Sequence, residues 1–245
     1  MSRFFVDAAN VGENSIFIYS KEDIKHMGKV LRLKEGDKIE ISDSAKWEYQ
    51  AEISAMEADF VEARILDKQR FAREPELRVT LFQGIPKQSK METIIQKSVE
   101  LGAFSLVPVF MERTVVVDKG YFSKKQQRWQ RIAAESVKQC RRGIIPEIKE
   151  AVKLPDMIKT LSEFDLVLFP YENETGRTIK DSLRSQMRRP KDIALIIGPE
   201  GGFSDQEAET LVRAGADRVT LGKTILRTET AGPAALAMVM YELEL

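Results

Sequence analysis

The rhythm of apolar and polar positions changes once along this chain of 245 residues. Up to about residue 70 it has the period of strands with one buried face. Ile39 and Ile41 stand between polar neighbours, and so do Tyr49, Ala51 and Ile53. A third apolar-rich run covers residues 60–66. Glu35-Gly36-Asp37 and Asp43-Ser44 break the runs as turns. One short helix is predicted over residues 22–30. The pattern describes a small β-barrel over residues 1–72. The stretch FAREPEL, residues 71–77, carries charges and a proline and reads as a linker.

Beyond the linker, strands and helices alternate. VTLFQG (79–84), SLVPVF (105–110), DLVLFP (165–170), IALIIG (193–198) and RVTL (218–221) read as buried strands. Helices are predicted over 89–101, 124–140, 177–187, from Ser204 onward, and over 230–242. Met91, Ile94, Ile95 and Val99 share a face of the first, with Gly102 as its stop. Trp129, Ile132, Ala133, Val137 and Cys140 share a face of the second. Ser204 and Glu207 have the spacing of a capping box. The alternation predicts an α/β domain with a parallel sheet over residues 73–245. No internal repeat or low-complexity segment interrupts it.

Composition narrows the chemistry. Hydrophobic content of 43% and charged content of 31% are those of an ordinary globular protein. No apolar run has the length of a membrane span, and the first residues lack the apolar core of a signal peptide, so a cytoplasmic protein is expected. Cys140 is the single cysteine and His26 the single histidine. An internal disulfide and a Cys/His zinc cluster are excluded, and no metal is expected. His26 lies far in sequence from every glycine-rich loop and reads as a surface residue of a helix. The formal net charge is zero, yet residues 87–142 hold 12 Lys and Arg against 5 Asp and Glu. That is either a phosphate-binding patch or a solvated helix face.

Two C-terminal segments carry the candidate chemistry: IIGPEGGFSDQE (196–207) and LGKTILRTETAGPAAL (221–236). Each starts where an apolar strand ends and runs into a helix. Side by side, two such loops would wall a slot for a small polar ligand. Gly198, Gly201 and Gly202 allow backbone N–H groups to approach it. The GxGxxG of a dinucleotide fold is absent after the first α/β strand, which ends in Gln83-Gly84-Ile85-Pro86. Gly222-Lys223-Thr224 has the tail of a P-loop, but its preceding glycine, Gly215, is at the wrong spacing. Buried in their loop, Ile225 and Leu226 would wall an adenine ring; alternatively they pack the loop onto the core. Arg227, Thr228, Glu229 and Thr230 then place a charge, hydroxyls and a carboxylate within four residues. Thr228 or Thr230 is also a candidate cap for the last helix, with Pro233 in its first turn.

The pair GPEGGFSDQE and LGKTILRTETA resembles the C-terminal signature of the SPOUT methyltransferases. More narrowly, it is similar to that of the bacterial 16S ribosomal RNA uridine-N3 methyltransferases, the RsmE type. RFFV (3–6), His26 followed by VLRLKEGD (30–37), KSVELG (97–102), VPVFMERT (107–114) and QCRRGIIPEI (139–148) stand in that family's order. The resemblance implies an α/β domain tied in a trefoil knot and an N-terminal PUA-like barrel that helps to hold RNA. It implies S-adenosylmethionine as the methyl donor and a homodimer, with Ala234, Ala235, Met238 and Met240 of the last helix at its face. The implied substrate is a uridine of 16S rRNA in the small ribosomal subunit. On this mapping the cofactor slot uses Phe169 and Pro170, then Ile197, Gly198, Pro199, Glu200, Gly201 and Gly202, then Leu221, Gly222, Ile225, Leu226, Arg227, Thr228 and Thr230.

N3 of uridine carries a proton, and its lone pair is delocalised. Transfer is helped by removing that proton or by stabilising the charge that spreads onto the flanking carbonyls. Arg227 is expected to stabilise or orient the uracil. Glu229 or Glu200 would accept the proton, unless positioning and electrostatics suffice. RNA contacts are expected from Arg3, Arg32, Lys87, Lys90, Arg113, Arg141 and Arg142. A non-catalytic RNA-binding or ribosome-assembly factor on the same fold is the alternative.

Overall fold

The computed structural model describes all residues except 1, 72, 73, 118, 119 and 121. The chain divides into two compact units, Met1–Glu74 with Val137–Ile145, and Pro75–Ser136 with Pro146–Leu245. The domain boundary expected at 72/73 lies outside the described residues, as do two residues of the expected linker.

The first unit contains β1 (Arg3–Phe5), β2 (Ser15–Ile18), α1 (Lys21–Lys25), β3 (Lys38–Ser42), β4 (Trp47–Met56) and β5 (Val61–Arg70). The strands form one sheet in the order β1-β3-β4-β5-β2. Alternation does what the sequence pattern predicts. Ile39, Ile41, Ala51, Ile53 and Ala63 point into one core with Phe4, Ile16, Ile18 and Met27. The helix expected over 22–30 is regular only in α1. Residues His26–Leu31 widen into a π turn that buries Met27 and ends on Arg32 at φ 54°. His26 is exposed.

The segment 137–145 belongs with this unit because backbone and side chains tie it there. Arg3 Nη1 donates to the carbonyls of Arg141 and Arg142, both at 2.9 Å. Ser42 Oγ donates to the Gly143 carbonyl at 2.6 Å. A Cβ on Gly143 would lie 2.5 Å from the Phe71 ring. An irregular segment has no period, so the strand pattern gives no sign of this return.

The second unit contains β6 (Arg78–Gly84), α2 (Lys90–Glu100), β7 (Ser105–Phe110), α3 (Phe122–Cys140, whose last residues belong to the first unit), β8 (Glu147–Ile148), β9 (Val152–Lys153), α4 (Leu154–Thr160), β10 (Leu166–Pro170), α5 (Ile179–Arg184), β11 (Asp192–Ile197), α6 (Asp205–Arg213), β12 (Asp217–Val219) and α7 (Thr228–Leu243). The sheet runs β12-β10-β11-β6-β7-β8, with β9 also beside β7. All its pairings are parallel, as alternation predicted. The two-residue strands and α4 escape the sequence pattern because they are too short to show a period. One side of the sheet packs Phe82, Val107, Phe169, Ile196, Phe203 and Leu211 into a core. The helix α7 packs against α2, α5, β6 and β11. Among the described residues no helix is long and apolar enough to cross a membrane.

The order of strands sets the site. From β11 the chain does not continue outward; β12 pairs with β10 on its far side. Three carboxyl ends, those of β12, β10 and β11, therefore lie in a row along one edge. Ligands of open α/β sheets bind in such a crevice, where the strand order reverses.

Candidate active site

A cavity of about 320 Å³ opens at these strand ends. Pro170, Tyr171 and Glu172 follow β10. Residues 197–200 with Gly202 and Phe203 follow β11. Residues 220–228 follow β12, and Lys90 closes the rim from the start of α2. The two glycine-rich loops do meet around one slot, but they are not neighbours in the sheet. The end of β10 lies between them and supplies a third wall.

Of the residues expected to hold cofactor, Pro170, Ile197, Gly198, Pro199, Glu200, Gly202, Leu221, Gly222, Ile225, Leu226, Arg227 and Thr228 line this cavity. Three others stand differently. Phe169 is fully buried behind it, with its ring 5.7 Å from that of Phe203 at 79°. Gly201 faces away, where a Cβ would meet Arg113 Cβ at 2.9 Å. Thr230 is exposed on α7 and does not line the cavity. Ile225 is not buried as the adenine-wall expectation required; it is 83% exposed at the cavity mouth. Neither Thr228 nor Thr230 caps α7. Arg227 occupies the N-cap without a side-chain bond. Pro233 lies in the second turn of α7, not the first.

Close packing shapes the loops. The carbonyl of Pro199 accepts from the N–H of Gly202 at 2.9 Å. Gly202 has φ +66°, and a Cβ there would lie 2.6 Å from Glu172 Oε2. A Cβ on Gly84 would lie 2.5 Å from Pro199 N, so the end of β6 approaches the loop after β11 as only glycine allows. Ser204 and Glu207 form the expected capping box, which fixes the exit of that loop into α6.

Sequence reasoning missed the residue at the centre of this arrangement. Gln83 is fully buried at the end of β6. Its Nε2 donates to the Gly84 carbonyl at 3.0 Å and to Thr228 Oγ1 at 2.9 Å. Thr228 Oγ1 in turn donates to the Gly198 carbonyl at 2.7 Å. One chain of hydrogen bonds thus joins β6, the loop after β11 and the first residue of α7. A buried glutamine ending an apolar strand is the available sequence signal. Tyr171, Glu172, Phe203, Thr220, Lys223 and Thr224 were missed as lining residues. The first two directly follow a strand end that the sequence does mark.

Charge concentrates at the rim. Lys90 Nζ lies 3.1 Å from Glu200 Oε1 and 3.3 Å from Glu229 Oε2, bridging the loop after β11 and the first turn of α7. The hydrogen bond to Glu200 is the main cause that holds the Lys90 ammonium above its ordinary range. Burial pushes the Glu200 carboxyl up. Hydrogen bonds from its own N–H and that of Lys87, with Lys90 beside it, outweigh burial and hold it below its ordinary value. Arg227 is exposed at the same rim.

The residues expected to meet RNA divide sharply. The guanidiniums of Arg3 and Arg142 are buried in ion pairs, Arg3 with Glu48 and Glu40, Arg142 with Glu74. Arg32, Lys87 and Arg141 are exposed. Arg113 is exposed and donates to the Gly201 carbonyl at 2.8 Å. Lys90 belongs to the cavity rim. Part of the cation excess over 87–142 is offset by ion pairs to acids outside that stretch, through Lys90–Glu200, Lys138–Asp23 and Arg142–Glu74, while Lys97–Glu100 and Arg128–Glu92 pair within it. Among the described residues no group of three or more His, Cys, Asp or Glu is placed to hold a metal ion.

The parallel sheet with a cavity at a strand reversal and the small β unit each match a known protein family. The family model of the RNA methyltransferase domain covers residues 73–240, and that of the RNA methyltransferase PUA domain covers residues 19–66. The chain is 30% identical over its full length to the ribosomal RNA small subunit methyltransferase E of Bacillus subtilis, covering 98% of that protein. It is 36% identical to the protein of that name from Buchnera aphidicola subsp. Schizaphis graminum, over 91% of this chain and 89% of the other. A crystal structure of ribosomal RNA small subunit methyltransferase E from Neisseria gonorrhoeae, bound to S-adenosylmethionine, matches with a TM-score of 0.86. That match has 30% identity and covers 99% of this chain and 98% of that one. The chain belongs to the ribosomal RNA small subunit methyltransferase E family.

Proposed function

We propose that this chain is an S-adenosylmethionine-dependent methyltransferase that modifies N3 of a uridine in 16S rRNA, within the small ribosomal subunit and in the cytoplasm. The observation that carries this reading is the convergence of three strand-end loops on one cavity, in a chain whose relative binds S-adenosylmethionine over nearly the same length. The cavity suits that cofactor chemically. Pro170, Ile197, Leu221 and Leu226 offer apolar wall to an adenine, while Glu172 offers a carboxylate to a cationic ligand. The bound cofactor supplies an electrophilic methyl group on a sulfonium. The residues of the rim then orient the acceptor base.

Arg227, fixed by its position before α7, donates to a uracil carbonyl and stabilises the charge that develops as N3 loses its proton. Glu229 accepts that proton. Glu200 is the other candidate acceptor, and donors hold its carboxyl below its ordinary value, which makes it a weaker base. Lys90 keeps both carboxylates in place. Arg32, Lys87, Arg113 and Arg141 hold phosphates, and the first unit, Met1–Glu74 with Val137–Ile145, acts as the PUA-like RNA holder.

The second unit, Pro75–Ser136 with Pro146–Leu245, forms the SPOUT domain and its trefoil knot, a reading supported by the return of β12 past β10. The molecule works as a homodimer. Ala234 and Met238 of α7 are half-buried and available for such a face, whereas Ala235 and Met240 are buried within this chain. Calorimetry with S-adenosylmethionine and single-turnover methylation test the site together. Arg227→Ala is expected to lose at least about a hundredfold in rate while still binding cofactor. An unchanged rate removes Arg227 from the mechanism.

A further inference from the structure

One end of the β4–β5 pair carries cations without counter-charge. Register places Trp47 opposite Arg70 and Tyr49 opposite Lys68, so these four share a face. Further along β4 that face carries Ala51 and Ile53 into the core, and it emerges at Trp47, which is half-buried. Around the Trp47 ring stand Lys68 Nζ at 4.5 Å from the centroid, Lys46 Nζ at 5.6 Å and Arg70 Cζ at 5.7 Å. All three cations are exposed. Among the described residues none of them forms an ion pair. The acids of these strands point elsewhere. Glu48, on the opposite face, accepts from Arg3 and Gln69. The carboxylate of the adjoining turn, Asp43, is buried, and its Oδ1 accepts the N–H groups of Ala45, Lys46 and Trp47 at 2.8–3.0 Å.

Covering an indole requires one aliphatic stem. Three cations on one ring repel each other, and the ring's negative face offsets only part of that repulsion. An arriving polyanion removes it, and an aromatic edge among cations is the arrangement that holds single-stranded nucleic acid. We infer that Lys46, Trp47, Lys68 and Arg70 form an RNA-docking surface of the first unit, which takes the backbone of an unpaired segment of the substrate RNA with a base against Trp47. This rests on the proposal that the substrate is ribosomal RNA, and it assigns RNA contact to residues that the family motifs do not include.

The test is binding of labelled, protein-free 16S rRNA transcript to the full chain across a salt series. The variants are the triple K46Q/K68Q/R70Q and the charge-keeping double K68R/R70K. Three lost phosphate contacts should lower the slope of log affinity against log salt by about two and weaken binding about a hundredfold at 0.1 M salt. The charge-keeping double should retain the wild-type slope. A triple variant with wild-type slope and affinity overturns the inference, provided the wild type binds. Weakening seen only with assembled subunits, not with the transcript, also overturns it and places an acidic protein on the surface instead. A wild type that binds no 16S transcript and methylates no subunit overturns the substrate proposal itself, which is a distinguishable failure.

Discussion

Gln83 shows how a residue away from the reacting atoms sets the site. Its amide nitrogen holds Thr228, and Thr228 holds the Gly198 carbonyl. Replacing it by leucine leaves the Gly84 carbonyl without that donor and frees the start of α7 from β6. Gln83→Leu should lower unfolding free energy by about 1–3 kcal/mol in denaturant titration and weaken S-adenosylmethionine binding by calorimetry. Wild-type affinity in a destabilised variant would reduce Gln83 to a packing role. At the rim, the charges set a pH window. The Glu200 carboxyl is held below its ordinary value of 4.5. Its contribution is therefore present above about that pH and is lost as pH falls through the lower, folded value. Lys90, held above 10.5, contributes below that pH and fails only as pH rises past its folded value. The difference in thermal midpoint between wild type and Glu200→Gln should thus be constant near neutrality and shrink as pH falls below 4.5. A difference that grows in acid would contradict the ion-pair account.

At the scale of elements, the loops depend on glycines more than on their side-chain chemistry. Gly84→Ala drives a Cβ to 2.5 Å from Pro199 N, so the end of β6 or the loop after β11 must move. Loss of cofactor affinity by about tenfold or more is expected, since a displacement of this kind near a preorganised site costs one to two orders of magnitude. Retained affinity would show that the loop adapts. The elements also show what was legible before the structure. Long strands with strict alternation, such as Ile39–Ile41 and Tyr49–Ile53, gave up their faces at once, and so did α2 and the Ser204 capping box. The segments β8, β9 and α4 did not, because two to seven residues are too few for a period. Thr228 misled for a physical reason. A threonine before a helix has the chemistry of a cap, yet a buried glutamine competes for the same hydroxyl and draws it inward.

In the molecule as a whole, the strand order made one cavity out of loops that the sequence could only place side by side. Both C-terminal motifs were legible because glycine, proline and charge are dense there. The wall from β10 and the rim role of Lys90 were not, since each depends on which strand neighbours which. Buried arginines were equally opaque: Arg3 and Arg142 look like phosphate ligands in a motif and prove to be tied to acids in the folded unit. The central claim is tested most directly by transferring labelled methyl from S-adenosylmethionine to small ribosomal subunits that lack the modification, then digesting the 16S rRNA to nucleosides. The account predicts label in 3-methyluridine. Label in any other nucleoside, or none from a protein that binds the cofactor, would contradict it.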